Sequence, residues 1–383
     1  MSEAVERASD LITSQGAEAD LISALRLAMV PGVGPRLTMA LLARFGSAAA
    51  VLAAAPSDLR EVPGVGTKVS QAIARAPARD AVEREIEQCR QAGISVLTPQ
   101  SAGYPRLLRE IHDPPPIIFG RGMIEARDSL AIAIVGSRHA TQYGIAQAER
   151  LAGSLARAGL TIVSGLARGV DAAAHRGALA AGGRTIAVLG SGLSNIYPPE
   201  HVSLADEVAA AGCLLSEAPP RTQPTSGAFP QRNRLISGMS LGVIVVEASI
   251  QSGALITARH ATEQGRDIFA VPGRVDSRVS HGCHRLIRDG AKLVETADDV
   301  LEELGPLVEA TSDAAGKSVH HPAELLLNDL ERQVLDAVTA EPTTIDQVVA
   351  TSALPTPQVL ATLSVLEMRR LVRRLGGNRV SRV

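Results

Sequence analysis

The sequence has no tryptophan, and only four phenylalanines and three tyrosines occur among its 383 residues. This scarcity argues against an extended surface of aromatic rings that stacks successive bases, because at most one or two rings can contribute. Three cysteines are too few and too scattered for a disulfide framework. No apolar run approaches the roughly 18 residues of a membrane span, and the first residues show no signal-peptide pattern. We therefore expect a reduced, cytoplasmic protein with no membrane partner.

The charges nearly balance, with 38 basic and 40 acidic residues and a formal net charge of −2. Proteins that coat nucleic acid through bulk charge are usually basic overall. Any binding of nucleic acid must therefore use a focused local patch. The hydrophobic content of 45% is ample for a packed core, and the length allows two or three domains.

The middle of the chain alternates short apolar segments with helical segments, which predicts an α/β domain with a parallel, Rossmann-like sheet. Most of the predicted strands are followed directly by glycine or serine. Small residues at these positions leave room for an extended ligand along the upper edge of the sheet. The predicted strands are Ala131–Val135, Thr161–Val163, Thr185–Leu189, Leu214–Leu215, Leu241–Val246 and Ile268–Val271.

The sequence predicts a smaller module at each end of the chain. A helix followed by Pro-Gly-Val-Gly and a second helix occurs twice, at Pro31–Gly34 and Pro63–Gly66, which resembles a tandem helix-hairpin-helix (SAM-like) domain. Three helices and a β-ribbon at the C-terminus predict a winged helix. Both modules bind DNA or dock proteins, and the sequence leaves these alternatives open. The predicted domains are residues 1–80 (helical), 81–305 (extended Rossmann-like), 306–322 (linker) and 323–383 (winged helix).

The segment Phe229–Arg234 reads as a loop that brings a ring, an amide and two arginines to the start of a helix. Loops at the carboxyl ends of parallel strands bind the ligands of open α/β sheets. Arg138 follows the Gly136-Ser137 turn, which suits an anion held by a helix N-terminus and a guanidinium group. Arg168 repeats this arrangement one strand later. Together these residues favour a ligand that carries phosphate.

Other motifs predict neither a cofactor nor a metal. The chain contains no G-x-x-x-x-G-K-[ST] or G-x-S-x-G motif, and Gly190-Ser191-Gly192 lacks the third glycine of a dinucleotide fingerprint. The His281–His284 cluster has no second cluster at ligand spacing to complete a zinc site. Asp171 and His175, four residues apart on one helix, are interpreted as a structural pair. Glu247 could accept a hydrogen bond from a sugar hydroxyl, but it is interpreted as a helix cap or a brace for a loop.

Several motifs keep the order and spacing typical of the DprA/Smf family, the DNA-processing protein A of bacteria, over about Tyr104 to Leu304. They are Ile134–Arg138 with Tyr143-Gly144, Ser164–Asp171, Phe229–Gly238 and Ser252–Ala258. The resemblance implies a non-enzymatic protein that binds single-stranded DNA as a homodimer. It also implies protection of incoming strands during natural transformation and loading of RecA onto them, with single-strand-binding protein as a further candidate partner.

By motif position, the resemblance implies a DNA pocket in which arginines hold phosphates and Phe229 stacks on a base. The side chains assigned to it are Arg138, Arg168, Phe229, Arg232, Asn233 and Arg234. Backbone or hydroxyl donors are assigned to Gly136, Ser137, Ser164, Gly165, Ser252 and Gly253. The chain departs from the family pattern at Arg168, where lysine is common, and at His284, where asparagine is usual.

Two other classes of protein remain open at this stage. Phosphoribohydrolases of the LOG type resemble this chain in having a carboxylate near a glycine-rich strand end, as Glu247 is here, although their P-G-G-x-G-T signature is absent. A nucleotide sensor that signals through its end modules is the other alternative. Release of a free base from a nucleoside monophosphate favours the enzyme, whereas salt-sensitive binding of oligonucleotides favours the DNA-binding protein.

Overall fold

A nine-stranded sheet forms the centre of the structure, a computed structural model that describes residues 18–304, 311–312, 318–319, 327–339, 341–368, 371–375 and 378–382. Its strands lie in the order β1-β2-β6-β5-β4-β3-β7-β8-β9. They are β1 Ile94–Leu97, β2 Ile118–Gly122, β3 Ala131–Gly136, β4 Thr161–Ser164, β5 Thr185–Leu189, β6 Cys213–Ser216, β7 Gly242–Val246, β8 Asp267–Ala270 and β9 Lys292–Leu293.

Every pairing from β6 through β9 is parallel, which confirms the predicted Rossmann-like sheet. The two strands at the other edge differ, because β2 pairs antiparallel with both β1 and β6. The chain order runs from β3 towards β6 in one direction and from β7 towards β9 in the other. The boundary between β3 and β7 is therefore the topological switch point, where open α/β sheets bind ligands.

Helices cover both faces of this sheet, so the strands are buried on both sides and are rich in Val, Ile and Ala rather than alternating. The helices of this domain are α6 Arg79–Gln91, α7 Arg106–Arg109, α8 Gln142–Arg157, α9 Val170–Ala180, α10 Val202–Ala211, α11 Ala228–Gly238, α12 Ala254–Glu263, α13 His281–Arg288 and α14 Ala297–Leu304.

The N-terminal module contains two helix-hairpin-helix units. Gly32 and Gly64, the first glycines of the two Pro-Gly-Val-Gly segments, have φ of 86° and 92°, a left-handed conformation that glycine adopts without steric cost. The helices are α1 over 18–28, α2 Pro35–Phe45, α3 Ala48–Ala53, α4 Pro56–Leu59 and α5 Thr67–Ala74. Their apolar side chains form a core that includes Leu27, Leu41 and Ile73.

The C-terminal module is a winged helix with its own core, which includes Val334, Val348 and Leu363. Capping boxes start its first two helices at Asn328 and Thr344, each with the N3 side chain returning to the cap. Its elements are α15 Asp329–Asp336, β12 Thr343–Thr344, α16 Ile345–Ser352, α17 Thr356–Met368, β13 Val372–Leu375 and β14 Arg379–Arg382.

Two predicted features fall largely outside the described residues. The turn of the terminal hairpin, at residues 376–377, is one of them. The linker predicted over 306–322 is the other, apart from the short antiparallel pair β10 Thr311–Ser312 and β11 Ser318–Val319.

All three cysteines are free and buried, as expected without a disulfide framework. Among the described residues, no single helix is long and apolar enough to cross a membrane, and only α16 and α17 taken together, across a bend of 110°, pass that test.

Candidate nucleic-acid interface

The ends of β3 and β7 meet directly at the switch point. The Ser137 amide donates a hydrogen bond to the Glu247 carbonyl over 2.7 Å. A Cβ on Gly136 would lie 1.8 Å from the Val246 carbonyl oxygen, so only glycine fits there. This contact directs the chain after β3, including Arg138, upwards over the edge of the sheet.

Glu247 holds this loop in place from the neighbouring strand. Its carboxylate accepts from the Thr141 amide at 2.8 Å and from the Thr141 hydroxyl at 2.5 Å. Glu247 itself has a φ of 50°, an uncommon conformation for a residue with a side chain and one that needs support from its surroundings. The interpretation of Glu247 as a brace for a loop is confirmed.

Helix α11 carries the central motif, and the prediction of a loop over Phe229–Arg234 is wrong. These residues form the first half of the helix, which begins at Ala228. Pro230 does not prevent this, because a proline in the first turn of a helix removes an N–H that has no helical partner. Phe229 and Asn233 are four residues apart and therefore share one face of α11.

That face forms one wall of the Phe229 pocket, a cavity of about 410 Å³ at the upper edge of the sheet. Asn233 donates to the Gly253 carbonyl at 3.3 Å, which links α11 to the start of α12. The pocket is lined by Arg138, Tyr197, Pro224, Thr225, Ser226, Phe229, Pro230, Asn233, Gly253 and Ile256.

Two aromatic rings and a cation meet in this pocket. The Arg138 guanidinium carbon lies 5.1 Å from the centroid of the half-buried Phe229 ring, within the range of a cation–π contact. The Tyr197 ring lies 5.6 Å from the Phe229 ring, tilted by 44°. Arg138 is exposed, and within the described ranges it has no carboxylate partner. Its charge is therefore available to a phosphate.

Sequence reasoning missed Tyr197 and the role of Gly190. A Cβ on Gly190 would lie 2.8 Å from the Phe229 ring, so this glycine makes room for the ring rather than for a dinucleotide. With only seven Phe and Tyr residues in the chain, a tyrosine soon after a glycine-rich strand end was a usable signal. It points to the same edge of the sheet as Phe229.

Arg232 lies beneath the pocket rather than in it. It is 6% exposed, and its guanidinium group donates to the carbonyls of Gly165 (2.8 Å) and Val188. Burial lowers its pKa to about 10, an effect opposed by the nearby Asp171 carboxylate. We therefore revise the expectation that Arg232 holds a phosphate: its charge joins the ends of β4 and β5 from below.

Arg234 points to the other side of α11. It is 7% exposed, and it donates to both carboxylate oxygens of Glu217 at 2.8 and 2.6 Å and to the Asp113 carbonyl at 2.8 Å. Charge-assisted hydrogen bonds of this kind are short and strong, and here Nη2 contacts Glu217 while Nη1 contacts Asp113. The expectation of a phosphate contact is revised here also, because these protein groups already occupy the guanidinium.

Arg168 is half exposed and does not line the pocket, although it lies close to Tyr197 of the lining. Its Nε donates to Glu200, and this hydrogen bond raises the pKa of Arg168 above its ordinary value, with a smaller effect from Tyr197. Both Arg168 and Glu200 are exposed, and exposed ion pairs contribute little to the free energy of folding. Arg168 is therefore able to exchange Glu200 for a phosphate at low cost.

Of the predicted glycine and serine donors, some lie in the floor of the Phe229 pocket and others at its rim. Ser164 is buried and donates to the Ile134 carbonyl at 2.6 Å, and the Gly165 amide donates to Asp171 at 3.1 Å. Both donors are thus used within the protein. Ser252 accepts from the Ala254 amide at 3.3 Å at the start of α12. The Gly253 amide, next to the pocket, has no acceptor among the residues that the structure describes.

Asp171 and His175 do not pair with each other, so the prediction of an Asp171–His175 contact is wrong. Asp171 accepts from the amides of Gly165 and Ala167, which braces the loop after β4. His175 is fully buried against the Thr185 hydroxyl at 2.7 Å, and burial lowers its pKa to about 3. Asp171 thus supports the floor of the pocket, whereas His175 packs against the first residue of β5, at the other end of that strand.

The fold and this edge together define a class of protein: a Rossmann-like domain with a ligand pocket at its switch point and, at its ends, two modules of types that contact nucleic acid. Comparison with known families agrees with each part. The family described as DNA recombination-mediator protein A matches residues 95–305, the DprA winged helix domain matches 319–378, and the SAM-like helix-hairpin-helix tandem matches 24–76. The chain belongs to the DNA recombination-mediator protein A (DprA/Smf) family.

Individual relatives are similar over long stretches. Protein Smf of Synechocystis is 38% identical over an alignment that covers 94% of this chain and 98% of the relative. DNA processing protein DprA of Bacillus subtilis is 45% identical over 222 residues, 58% of this chain and 75% of the relative.

Two solved structures extend the comparison. The X-ray structure of DprA from Streptococcus pneumoniae matches with a TM-score of 0.64 and 35% identity, over 73% of this chain and 95% of that one. DprA from Helicobacter pylori matches with a TM-score of 0.50 and 32% identity, over 55% of this chain and 95% of that one. It is described for its single-stranded DNA binding mode.

Proposed function

We propose that this protein binds single-stranded DNA in the Phe229 pocket as part of DNA processing in transformation and recombination. The observation that carries the proposal is the exposed Arg138 guanidinium 5.1 Å from the Phe229 ring at the switch point. A phosphate and an adjacent base present a negative charge and a flat face at this kind of spacing. The single-stranded DNA binding described for the Helicobacter relative supports the same ligand class.

The shape of the pocket favours unpaired over paired bases. The Phe229 ring is half-buried, with Arg138 and Tyr197 beside it, so a base must leave its stack to reach it. Unpairing a base in a duplex costs a few kcal/mol, whereas a single strand offers its bases freely. We therefore expect binding in which the phosphates supply much of the energy and Phe229 supplies the preference for single strands.

The further expectations are that the protein acts without catalysis in the cytoplasm, works as a homodimer, and loads RecA onto the bound strand. Membership of the DNA recombination-mediator family supports them. Single-strand-binding protein is a further candidate partner, because it competes for the same strands. RecA loading is tested by whether the protein shortens the lag of RecA filament formation on strands coated with single-strand-binding protein.

The enzyme alternative relied on a free carboxylate at Glu247. Both oxygens of Glu247 accept hydrogen bonds from Thr141, and Glu247 is only 5% exposed. That arrangement suits a structural carboxylate better than an acid or base that touches a substrate. Incubation with nucleoside monophosphates, followed by assay for the free base, tests the alternative directly.

The primary test is a fluorescence-anisotropy titration of labelled single-stranded and duplex DNA at two salt concentrations. We expect wild-type protein to prefer the single strand and to bind more weakly at higher salt. Arg138→Ala should weaken binding by about tenfold or more, the equivalent of ~1.4 kcal/mol, and lower the salt slope by about 0.7 for each phosphate that the variant no longer binds.

Arg176→Ala is the matched control. Arg176 is also an exposed arginine, it lies on α9 away from the pocket lining, and no carboxylate in the described part of the chain pairs with it. Arg176→Ala removes one positive charge from the protein, as Arg138→Ala does. Equal affinities for Arg138→Ala and wild type would contradict the Phe229 pocket as the DNA site, and equally weakened binding in both variants would indicate only a bulk charge effect.

A further inference from the structure

A second and larger cavity lies on the other side of α11. This hairpin cavity, of about 790 Å³, is bounded by the first hairpin turn of the N-terminal module (Gly34–Leu37), by α11 and by α12. Pockets that enclose ligands of roughly nucleotide size range over about 300–1,000 Å³. The hairpin cavity is therefore large enough for part of a nucleic-acid strand, and the Phe229–Gly238 motif contributes to its lining as well.

The hairpin cavity and the Phe229 pocket are neighbours. Both are lined by Pro230 and Ile256, which form a ridge between them. Arg138 and Phe229 lie on one side of this ridge, and Gln231 and Arg259 lie on the other. A chain molecule that occupies the Phe229 pocket therefore has a direct route over Pro230 into the hairpin cavity.

The lining of the hairpin cavity carries more positive than negative charge. Arg234 is compensated by its contacts with Glu217 and Asp113. Arg259 is exposed and has no partner in the described ranges. Arg36 is 78% exposed; its Nε lies 3.8 Å from the Asp113 carboxylate and its Nη2 lies 3.3 Å from the Nε2 of the exposed His112. The charged groups of the lining are four guanidinium groups, on Arg36, Arg232, Arg234 and Arg259, and two carboxylates, on Asp113 and Glu217.

Three further N–H groups at this cavity have no hydrogen-bond partner among the described residues. The Nε of the 6%-exposed Arg232, whose side chain lines the cavity, is buried without an acceptor. Helix α2 starts at the cavity with Pro35 in its first turn and no capping side chain, and nothing in the described chain accepts from the amides of Arg36 or Leu37. Unpaired amides at the start of an 11-residue helix attract anions.

We propose that the strand bound in the Phe229 pocket continues over Pro230 into the hairpin cavity, where Arg259, Arg36 and the start of α2 hold its phosphodiester backbone. This inference rests on the proposed function and extends it. It gives the N-terminal module a defined task, since its first hairpin closes the second half of one continuous strand site. The exposed second hairpin, with Lys68, is not part of this path.

The test compares a short dT oligomer of about 5 nucleotides with a long one of about 15 nucleotides, a span typical of single-strand sites. We expect wild type to gain affinity with length. Arg259→Gln, and Arg36→Gln with Arg259→Gln, should bind the short oligomer as wild type does and bind the long one about tenfold more weakly. Their salt slope on the long oligomer should fall by about 0.7 for each phosphate that is no longer bound. Arg176→Gln is the matched control.

The outcomes separate this inference from the proposed function. If Arg138→Ala weakens both oligomers while Arg259→Gln and the double variant match wild type on the long one, the strand does not enter the hairpin cavity and the Phe229 site stands. If Arg138→Ala binds both oligomers as wild type does, the proposed function fails as well. Titration with dTMP alone distinguishes a free nucleotide: saturable dTMP binding that Arg259→Gln abolishes, without any effect of strand length, would overturn the continuous path.

Discussion

Gly165 shows how little space separates the floor of the Phe229 pocket from the groups below it. A Cβ at this position would lie 2.6 Å from the Arg232 guanidinium. Arg232 cannot move aside, because it is buried and its guanidinium donates to the carbonyls of Gly165 and Val188. The absence of a side chain at Gly165 is therefore what allows a buried cation to join two strand ends.

We predict that Gly165→Ala destabilises the protein by about 1–3 kcal/mol, the usual cost of forcing additional atoms into a packed site. Urea unfolding measures this change, with Gly103→Ala as the control, since a Cβ on Gly103 meets only Leu97 at 3.8 Å. In an Arg232→Ala background the same substitution should cost much less, because the clashing group is gone. Equal costs in both backgrounds would place the strain elsewhere.

Residue identity alone did not distinguish the arginines of this edge. Arg138, Arg232 and Arg234 all belong to the family motifs, and the sequence therefore predicted a phosphate contact for each of them. Arg138 lies on the loop after β3 and reaches the pocket. On α11 the helical turn decides: Phe229 and Asn233 face the pocket, while Arg232 and Arg234 lie on other sides of the helix. Predicting this required knowing that α11 begins at Ala228 rather than after Arg234.

At the scale of elements, α11 is held on its buried side by the pair of Arg234 with Glu217. Arg234 is 8% exposed at its side chain and Glu217 29%. Burial raises the pKa of Glu217, and Arg234 opposes that shift. Removing one member of such a pair leaves the other charge without compensation, which costs about 3–5 kcal/mol in buried pairs. The pair thus positions α11 without touching the pocket.

We predict that Arg234→Met lowers the free energy of unfolding by up to about 3 kcal/mol but leaves the salt slope of DNA binding unchanged. Arg138→Ala should do the reverse, with unchanged stability and a lower slope. Chemical denaturation and anisotropy on the same preparations check both halves. A reduced salt slope for folded Arg234→Met would restore the role in phosphate binding that the sequence assigned to this residue.

Most elements followed from local patterns, and apart from the start of α11 the failures were long-range. The strand Thr185–Leu189 was predicted to the residue, because a run of β-branched and apolar residues bounded by glycine has few other interpretations. The antiparallel edge formed by β2 was not predicted, since Ile118–Gly122 contains two glycines and an arginine and lacks the apolar run of the parallel strands. Tyr197 and Phe229 are far apart in the sequence, and their contact forms only when the strands and loops that carry them are in place.

At the scale of the whole molecule, the apolar clusters show which modules depend on one another. The core of the winged helix contains only residues from 327 to 380. The helix over 18–28 behaves differently, because Ile22 and Leu25 pack in a cluster with Ile94 and Phe119 of the sheet domain. The domain boundaries remain predictions, but the clusters suggest that the C-terminal module separates more cleanly than the N-terminal one.

We therefore predict that a chain ending at residue 305 still binds single-stranded DNA with the wild-type salt slope, and that a fragment from residue 324 to the C-terminus unfolds cooperatively on its own. Domains of about 55–65 residues fold independently when their core is complete. We expect that a fragment of residues 1–80 does not fold independently, because Ile22 and Leu25 would lose their partners in the sheet domain. Circular dichroism melts and anisotropy titrations measure these outcomes. A salt slope lowered by about 0.7 or more in the shortened chain would show that the winged helix contacts phosphates, and the strand site would then extend beyond the two cavities beside α11.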